Sequence, residues 1–211
     1  MSPLPPAMPI AVMAKAPVAG LAKTRLAPAL GAAGAAALAE RLLLHAVAQA
    51  VAARLGSVTV WATPDAGHAA FIRLQREHGV ALAVQGPGDI GQRMAQVFAA
   101  AGGPLLLIGT DLPGLSSAVL RAAAAALARH DAVFVPALDG GYGLVGLRQP
   151  APALFADMAW SVPSVMAQTR LRLAATGLHH AELPALADID EPADLAHLPA
   201  DWRAGLTFNT L

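Results

Sequence analysis

The run Ile-Ala-Val-Met-Ala-Lys-Ala-Pro-Val-Ala-Gly-Leu-Ala-Lys-Thr-Arg-Leu, residues 10–26, joins an apolar stretch to a basic loop. Its first part, Ile10 to Ala14, is continuously apolar, which is typical of a buried strand. The loop that follows holds both lysines of the chain, Lys15 and Lys23, although the sequence also contains twelve arginines. A lysine ammonium can follow a polyphosphate as its charge shifts, whereas the planar fork of Arg25 suits fixed bidentate contacts. The run therefore indicates a strand that ends in a phosphate-binding loop, and a merely solvated basic loop is the alternative.

The rest of the chain alternates between short apolar runs and helical patterns. Repeated strand–helix units with continuously apolar strands predict an open, mostly parallel sheet covered by helices on both faces, a three-layer α/β/α sandwich. The runs at 132–136 and 144–147 are too close for a helix between them, so a direct β–β connection is expected there. The other expected strands are 10–14, 58–62, 80–84, 105–108 and 178–183, and the expected helices are 31–54, about 71–79, 92–101, 116–129, 164–175 and 193–197.

Length and composition limit the classes of function. The 211 residues suit a single domain, 1–211, with residues 1–8 expected to be a disordered lead because they are rich in proline. The absence of cysteine excludes disulfides and thiolate zinc sites and favours the cytoplasm. A net charge of zero argues against nucleic acid as a partner. The longest uncharged stretch near the N-terminus, 26–39, is shorter than a membrane span, so no membrane partner is expected.

Three aspartates are candidates for a metal site. Asp111 follows the wholly apolar run 105–108, and Pro113 restricts the backbone after it. If the segment around Asp188 and Asp190 is extended, both carboxylates point to the same side. Such oxygen ligands suit Mg²⁺ or Mn²⁺, ions that also hold nucleotide phosphates. The alternatives are a turn or capping role for Asp111 and a helix-capping role for Asp190.

Two glycine-rich segments could approach a ligand closely. Gly86-Pro-Gly-Asp-Ile-Gly91 has the spacing of a dinucleotide-binding turn, but it follows the third strand rather than the first, so its signal is weak. The N-terminus of the helix after it could still hold an anion or a nucleoside. In Asp139-Gly-Gly-Tyr142 the glycines permit close backbone approach, and the aspartate and tyrosine could contact a ligand. A tight hairpin corner is the alternative for this second segment.

Five motifs occur in an order that resembles a bacterial family of glycosyltransferases. The family is associated with radical-SAM and selenocysteine-like domain proteins, is linked to arsenosugar biosynthesis and corresponds to DUF2064. The resemblance extends over residues 10–198 and is more distant to the phospholactate guanylyltransferases. The motifs are Lys15-Ala-Pro with Lys23-Thr-Arg-Leu26, Gly88-Asp-Ile-Gly-Gln-Arg-Met94, Gly109-Thr-Asp-Leu-Pro113, Asp139-Gly-Gly-Tyr142 and Asp188-Ile-Asp-Glu-Pro-Ala-Asp-Leu195.

This resemblance implies the nucleotide-diphospho-sugar transferase fold of GT-A type, which is Rossmann-like, and a division of roles among the motifs. Direct participants in the transfer would be Lys23, Arg25 and Asp111. The metal, Mg²⁺ or Mn²⁺, would be held by Asp111, Asp188 and Asp190. Contacts to the nucleotide would come from Lys15, Lys23, Thr24, Arg25, Gly88, Asp89, Asp139, Gly140, Gly141 and Tyr142. Leu112 and Val162 depart from the family, which usually has cysteine and threonine at these positions.

The implied reaction is transfer of a sugar from a nucleotide-sugar donor to a small-molecule acceptor. Its catalysis is electrostatic, because positive charge offsets the charge that develops on the leaving diphosphate. A nucleotidyltransferase that uses a nucleoside triphosphate and releases pyrophosphate is the first alternative. A nucleotide-binding regulator without turnover is the second. Neither base, sugar nor acceptor can be inferred from these residues.

Overall fold

The computed structural model describes residues 7–207. Of the predicted lead, residues 1–6 lie outside the described residues. Its last residue, Met8, donates its backbone amide hydrogen to the carbonyl of Leu55 at 2.9 Å. The described end of the lead is therefore attached to the fold.

A seven-stranded sheet forms the centre of the structure, with the order β3-β2-β1-β4-β6-β5-β7. β6 runs antiparallel to β4 and β5, and the other pairs are parallel. The mostly parallel sheet and the direct β5–β6 connection confirm the prediction. The strands are β1 (Ile10–Lys15), β2 (Val58–Thr63), β3 (Ala81–Val84), β4 (Leu105–Ile108), β5 (Ala132–Pro136), β6 (Tyr142–Leu147) and β7 (His180–Glu182).

Helices cover both faces of this sheet. They are α1 (Ala27–Ala53), α2 (Ala69–His78), α3 (Ile90–Ala101), α4 (Ser117–Leu127), α5 (Val165–Thr176) and the short α6 (Ala200–Arg203). Residues 7–207 also form three 3-10 turns, Thr24–Leu26, Pro152–Leu154 and Pro192–His197. The predicted three-layer α/β/α sandwich is confirmed.

Alternation along the central strands sends side chains into two cores. Val12 of β1 and Leu106 of β4 pack in one core with buried residues of α1, α2 and α4. Ala11 and Leu107, their sequence neighbours, pack in the other core with buried residues of α3 and α5. Because both faces of these strands are buried, their sequences are continuously apolar, as expected for parallel strands between two helical layers.

Several element boundaries differ from the sequence prediction by one to four residues, and two of these differences have identifiable reasons. α1 starts four residues before the predicted position because Pro28 suits a first helical turn, while Gly31, with φ 70° and ψ 165°, adopts the kink that follows. β7 covers only three of the six predicted residues, since only His180–Glu182 pair with β5.

α1 is, among residues 7–207, the one helix long and apolar enough to cross a membrane. In this fold, however, ten of its residues are buried. Leu43 and Val47 pack in the sheet core, and Leu38 and Leu42 pack with Ile189 from the C-terminal segment. Its apolar composition is therefore explained by packing inside the structure, and the same packing fixes the position of the segment around Ile189.

Candidate nucleotide-binding cleft

A cleft of about 580 Å³ opens at the carboxyl ends of β1 and β4. Its walls come from the loop after β1, the turn after β4, the corner before β6 and the first turn of α3. The position agrees with the general rule that ligands of open α/β sheets bind at the carboxyl ends of strands. The predicted site residues in its lining are Lys15, Lys23, Thr24, Arg25, Asp111, Asp139, Gly141, Tyr142, Asp188 and Asp190.

Lys23 contacts two of the predicted metal ligands. Its ammonium nitrogen lies 2.6 Å from Oδ1 of Asp190 and also forms an ion pair with Asp111. Only 9% of the lysine side chain is exposed, against 44% for Asp111 and 43% for Asp190. Lys23 is predicted from the sequence to face phosphates, whereas in the structure it contacts two carboxylates.

The carboxylates of Asp111 and Asp190 determine the protonation state of Lys23. Burial by itself lowers the pKa of the ammonium group, but the attraction of Asp111 and Asp190 together outweighs burial and raises the pKa above its ordinary value. Lys23 therefore carries a full positive charge throughout the physiological pH range.

A backbone hydrogen bond brings Asp111 and Asp190 together. The amide of Ile189 donates to the carbonyl of Asp111 at 3.0 Å, and the Ile189 side chain is fully buried against α1. The helix that follows is capped by Glu191 and Asp194 instead. In this capping box, Oδ2 of Asp194 accepts a hydrogen bond from the amide of Glu191 at 2.7 Å. The alternative that Asp190 caps this helix is therefore wrong, and its carboxylate faces the cleft.

Asp188 lies in a negatively charged part of the cleft. Burial, followed by repulsion from Asp139, raises its pKa to about 6. Asp190 and Asp194 add to this repulsion. Within residues 7–207, no cation forms an ion pair with Asp139 or Asp188. This wall thus carries negative charge that the described protein does not neutralise.

The residues present fit a divalent cation that shares its coordination sphere with phosphates. In the described part of the chain, no three His, Cys, Asp or Glu residues are grouped closely enough to hold a metal on their own. Asp111 and Asp190 nevertheless converge on one cation, the Lys23 ammonium. Mg²⁺ is commonly bound by one or two carboxylates together with substrate phosphates, which is what this pair offers. Asp188 lines the same cleft without joining the pair.

The other residues of the basic loop are more open. Lys15, at the end of β1, is exposed and makes no ion pair with any described residue. Arg25 is exposed and lies 3.8 Å from Glu191, a distance typical of a weak surface pair. Both side chains and Thr24 line the cleft, so the predicted loop does face it.

Gly88 and Asp89 do not line the cleft. Asp89 caps α3, accepting from the amide of Gln92 at 2.8 Å, while the Gln92 side chain accepts from the amide of Asp89. The amide groups of Asp89 and Gln92 at this helix N-terminus are thus satisfied by the helix itself.

Two neighbours of Gly88 line the cleft instead, and sequence reasoning missed both. Gln85 donates to the carbonyls of Trp61 and Ala14 at 2.7 and 3.3 Å, which holds its side chain in place. Arg93 donates through Nε to the carbonyl of Gly88 at 2.9 Å, and its Nη1 lies 3.5 Å from Oε1 of Gln85. The available signal for Arg93 was its position inside the motif 88–94.

The corner before β6 is both a tight turn and a wall of the cleft. Asp139 accepts from the amide of Gly141 at 2.7 Å, and Gly140 adopts a φ of 92°. A Cβ atom on Gly140 would collide with the backbone of Pro163, so this position requires glycine on two grounds. The interpretation as a tight corner is therefore correct. Asp139, Gly141 and Tyr142 line the cleft and Gly140 does not, and contact of this corner with a ligand stays a prediction.

Two aromatic side chains close this end of the cleft. The rings of Tyr142 and Trp160 meet edge to face with their centres 6.4 Å apart, and both line the cleft. The Tyr142 hydroxyl and the Trp160 indole nitrogen are buried and have no hydrogen-bond partner in the described structure. Burial also raises the pKa of Tyr142. This aromatic end of the cleft is thus lined by apolar rings, but it contains two buried polar atoms without hydrogen bonds.

Residues 46–162 match the model of DUF2064, a family described as an uncharacterized protein conserved in bacteria. The chain belongs to this family. None of the curated proteins matches it significantly in sequence.

Solved structures similar to this DUF2064 protein share its architecture. A putative nucleotide-diphospho-sugar transferase from Desulfovibrio desulfuricans G20 superposes with a TM-score of 0.81 at 26% identity, over 89% of this chain and 84% of the other. A CMP:2-keto-3-deoxy-manno-octonic acid synthetase complexed with CTP has a TM-score of 0.57 at 13% sequence identity. The match covers 94% of this chain and 98% of the other. A cytidylyltransferase from Leptospira borgpetersenii serovar Hardjo-bovis has a TM-score of 0.58 at 13% sequence identity, and the match covers 89% of this chain and 82% of the other. The predicted fold class is confirmed, and the similarities are consistent with a transferase.

The DUF2064 match contains only part of the cleft. Asp111, Tyr142 and Trp160 lie within residues 46–162, whereas Lys23 and Asp190 lie outside that range. The contact between Lys23 and the two aspartates therefore joins the matched region to segments on both sides of it.

Proposed function

We propose that this DUF2064 protein is a metal-dependent glycosyltransferase that moves a sugar from a nucleotide-sugar donor to a small-molecule acceptor. The observation that carries the proposal is the convergence of the basic loop and the Asp111–Asp190 pair in one cleft at the carboxyl ends of β1 and β4. The similarity to the Desulfovibrio desulfuricans protein, whose name specifies nucleotide-diphospho-sugar transfer, supports the choice of donor.

The basic loop and the Asp111–Asp190 pair suit the diphosphate of such a donor. Lys15 and Arg25, exposed and weakly engaged, are available to phosphate oxygens, and Arg93 can approach the same ligand from α3. A divalent cation bound at Asp111 and Asp190, with Asp188 beside them, would supply neutralisation of the diphosphate. Positive charge held in place before the reaction lowers the energy of a leaving nucleoside diphosphate without reorganisation during the reaction.

The aromatic end suits the sugar and the acceptor. Tyr142 and Trp160 offer ring faces, and Asp139 and Asp188 offer carboxylate oxygens that could accept hydrogen bonds from hydroxyl groups. A sugar needs this combination of apolar faces and polar acceptors. The specific type, associated with radical-SAM and selenocysteine-like domain proteins and with arsenosugar biosynthesis, is part of the same proposal, as are a single domain, a cytoplasmic location and the absence of nucleic-acid and membrane partners.

A nucleotidyltransferase is the second candidate. It is favoured by the fold that the chain shares with the cytidylyltransferase and with the synthetase complexed with CTP. In that reaction the acceptor attacks the α-phosphorus of a nucleoside triphosphate, and pyrophosphate leaves. Since both reactions place charge on leaving phosphates, the basic loop would serve either. A regulator that binds nucleotide without turnover is the third candidate.

Product analysis separates the three candidates. The protein is incubated with Mg²⁺ and, in parallel, with nucleotide sugars or with nucleoside triphosphates, each with a panel of small-molecule acceptors. Release of nucleoside diphosphate that depends on an acceptor and is lost in Asp111→Asn supports the glycosyltransferase. Asp201→Asn, which changes an exposed carboxylate on α6, is the matched control. Acceptor-dependent pyrophosphate from a triphosphate establishes the second candidate, and stoichiometric binding without product establishes the third.

A further inference from the structure

The Lys23 ammonium lies between Asp111 and Asp190, two of the candidate metal ligands. Asp111 and Asp190 lie on different segments, and both turn their carboxylates toward this one ammonium group. The aspartate side chains remain open to the cleft, whereas the lysine side chain is nearly buried. A cation that enters from the cleft can thus reach the carboxylates, but their inner oxygens already bind the ammonium.

We propose that Lys23 and a divalent cation compete for Asp111 and Asp190, and that the ammonium released by the metal binds the phosphates of the nucleotide. The proposal rests on the proposed function in its second half only. Competition at the two carboxylates concerns the protein and the metal alone.

The charges in the cleft give the reason for competition. Asp111, Asp139, Asp188 and Asp190 all line it, and among the described residues Lys23 is the one cation paired with any of them. Without Lys23 or a metal, these carboxylates would repel one another at close range. The lysine therefore acts as the counter-ion of the metal-free protein, and a metal that binds alone must first break two charge-assisted contacts.

Nucleotide phosphates change this balance. They add negative charge that a divalent cation can share with Asp111 and Asp190, and they offer the displaced Lys23 a new anionic partner. The bound metal therefore raises the affinity for the nucleotide. By reciprocity, the bound nucleotide raises the affinity for the metal by the same factor. Lys15, the only other lysine, makes no ion pair among the described residues, so it does not compete with a metal for these carboxylates.

The test measures Mn²⁺ binding in the absence of nucleotide, through the loss of the free-ion electron paramagnetic resonance signal. Lys23→Met is expected to bind Mn²⁺ about tenfold more tightly than the wild-type protein, because the competing charged contacts are gone. Arg121→Met, which removes an exposed positive charge on α4 outside the cleft, is the control and is expected to stay within about twofold of the wild type. Equal or weaker Mn²⁺ binding by Lys23→Met overturns the proposal.

A second measurement uses the wild-type protein, so it does not depend on the folding of a variant. Amine acetylation is followed by mass spectrometry at both lysines, with Lys15 as the internal reference. Lys23 is expected to be protected without metal and to become more reactive as Mg²⁺ is added. Reactivity of Lys23 that stays constant at every Mg²⁺ concentration overturns the competition.

Addition of UDP or GDP to the Mg²⁺ form tests the second half. Lys23 is expected to be protected again, and the wild-type protein is expected to bind Mn²⁺ more tightly with the nucleotide than without it. If neither nucleotide binds while Lys23→Met still tightens Mn²⁺ binding, the competition stands and the proposed function fails. If the nucleotide binds and Lys23 remains as reactive as before, the transfer of the ammonium to phosphate is overturned.

Discussion

The two ends of the cleft satisfy their polar groups in opposite ways. At the end formed by the basic loop, Lys23 forms ion pairs with both Asp111 and Asp190, which come from segments far apart in sequence. At the aromatic end, Asp139 and Asp188 have no cationic partner within the described chain, and the Tyr142 hydroxyl and Trp160 indole lack hydrogen bonds. Unpaired buried polar groups are costly, so their concentration at one end marks the place where a ligand would complete the structure. At the basic-loop end both carboxylates already contact Lys23, so under our proposal a metal ion has to displace this lysine.

The largest effect is expected at the aromatic end. Gly140→Ala forces a side chain into the left-handed region at φ 92° and into the backbone of Pro163. Strain and overpacking together should lower the free energy of unfolding by about 3 kcal/mol, measured by urea denaturation. Gly79→Ala is the matched control: its φ is 66°, but no atom lies within 4 Å of the new Cβ, so it should cost about 1 kcal/mol. Equal losses in the two variants would show that the close packing at Pro163 has no energetic importance.

The next effect concerns the basic-loop end. A nucleoside di- or triphosphate at a hundred times its dissociation constant should stabilise the protein by about 2.7 kcal/mol, provided that Mg²⁺ or Mn²⁺ is present. Without the metal, the four carboxylates of the cleft repel the phosphates. Thermal unfolding with and without excess chelator measures the difference. Equal stabilisation in chelator would exclude a role for the metal in nucleotide binding.

Removal of single charges from the loop should have a smaller effect. Arg25→Ala is expected to weaken nucleotide binding about tenfold in calorimetric titration, because one charged hydrogen bond is lost. Its unfolding free energy should hardly change, since the side chain is exposed and its pair with Glu191 is long. Arg121→Ala, an exposed position on α4, serves as the control. Normal binding by Arg25→Ala would mean that the loop is only solvated at this position.

The smallest effect is a pH dependence at the aromatic end. The pKa of Asp188 is raised from 3.8 to about 6, so ionisation of this carboxyl is disfavoured in the folded state. In metal-free protein its contribution to stability falls as the pH rises from 3.8 to about 6 and stays low above that range. Asp188→Asn should therefore match the wild type below this window and be more stable above it. Because the group is only partly buried and solvent screens its charge, the gain should remain below about 1 kcal/mol.

Denaturation of Asp188→Asn and wild type at several pH values, with chelator throughout, measures this gain. A constant difference between the two proteins across the window would contradict the raised pKa. Asp157→Asn, on an exposed turn, provides the control for the loss of one carboxylate.

The fold was largely predictable because its strands are buried on both faces. Continuous apolar runs such as Leu105–Ile108 and Ala132–Pro136 allow few interpretations, and both boundaries agree with the structure. The short connection to β6 was equally informative, since no helix could fit. α1 was less predictable at its start, because a glycine in the positive-φ region usually ends a helix rather than lying inside one.

The site was predictable in its members but not in its contacts. The residue types of the loop and the aspartates indicated phosphate and metal chemistry. Nothing in the local sequence indicated that Lys23 would lie between Asp111 and Asp190. This position depends on the hydrogen bond from the Ile189 amide to the Asp111 carbonyl and on packing of the Ile189 side chain against α1. Gly88 and Asp89 were placed in the site by resemblance, whereas their polar groups stabilise α3. Arg93 reaches the cleft because it lies one turn further along that helix.

The hydrogen bond between Ile189 and Asp111 has a consequence for the kinetics of folding. It joins residues from distant parts of the chain, as does the Lys23–Asp190 contact, which spans 167 positions. Closing loops of this size is entropically unfavourable until the intervening chain is already compact. The cleft should therefore be assembled late, after the sheet has formed. Conversely, local opening of the segment around Ile189 would separate Lys23 from Asp190 while the β-sheet remains intact, so hydrogen exchange at the Ile189 amide should be faster than in β1 and β4.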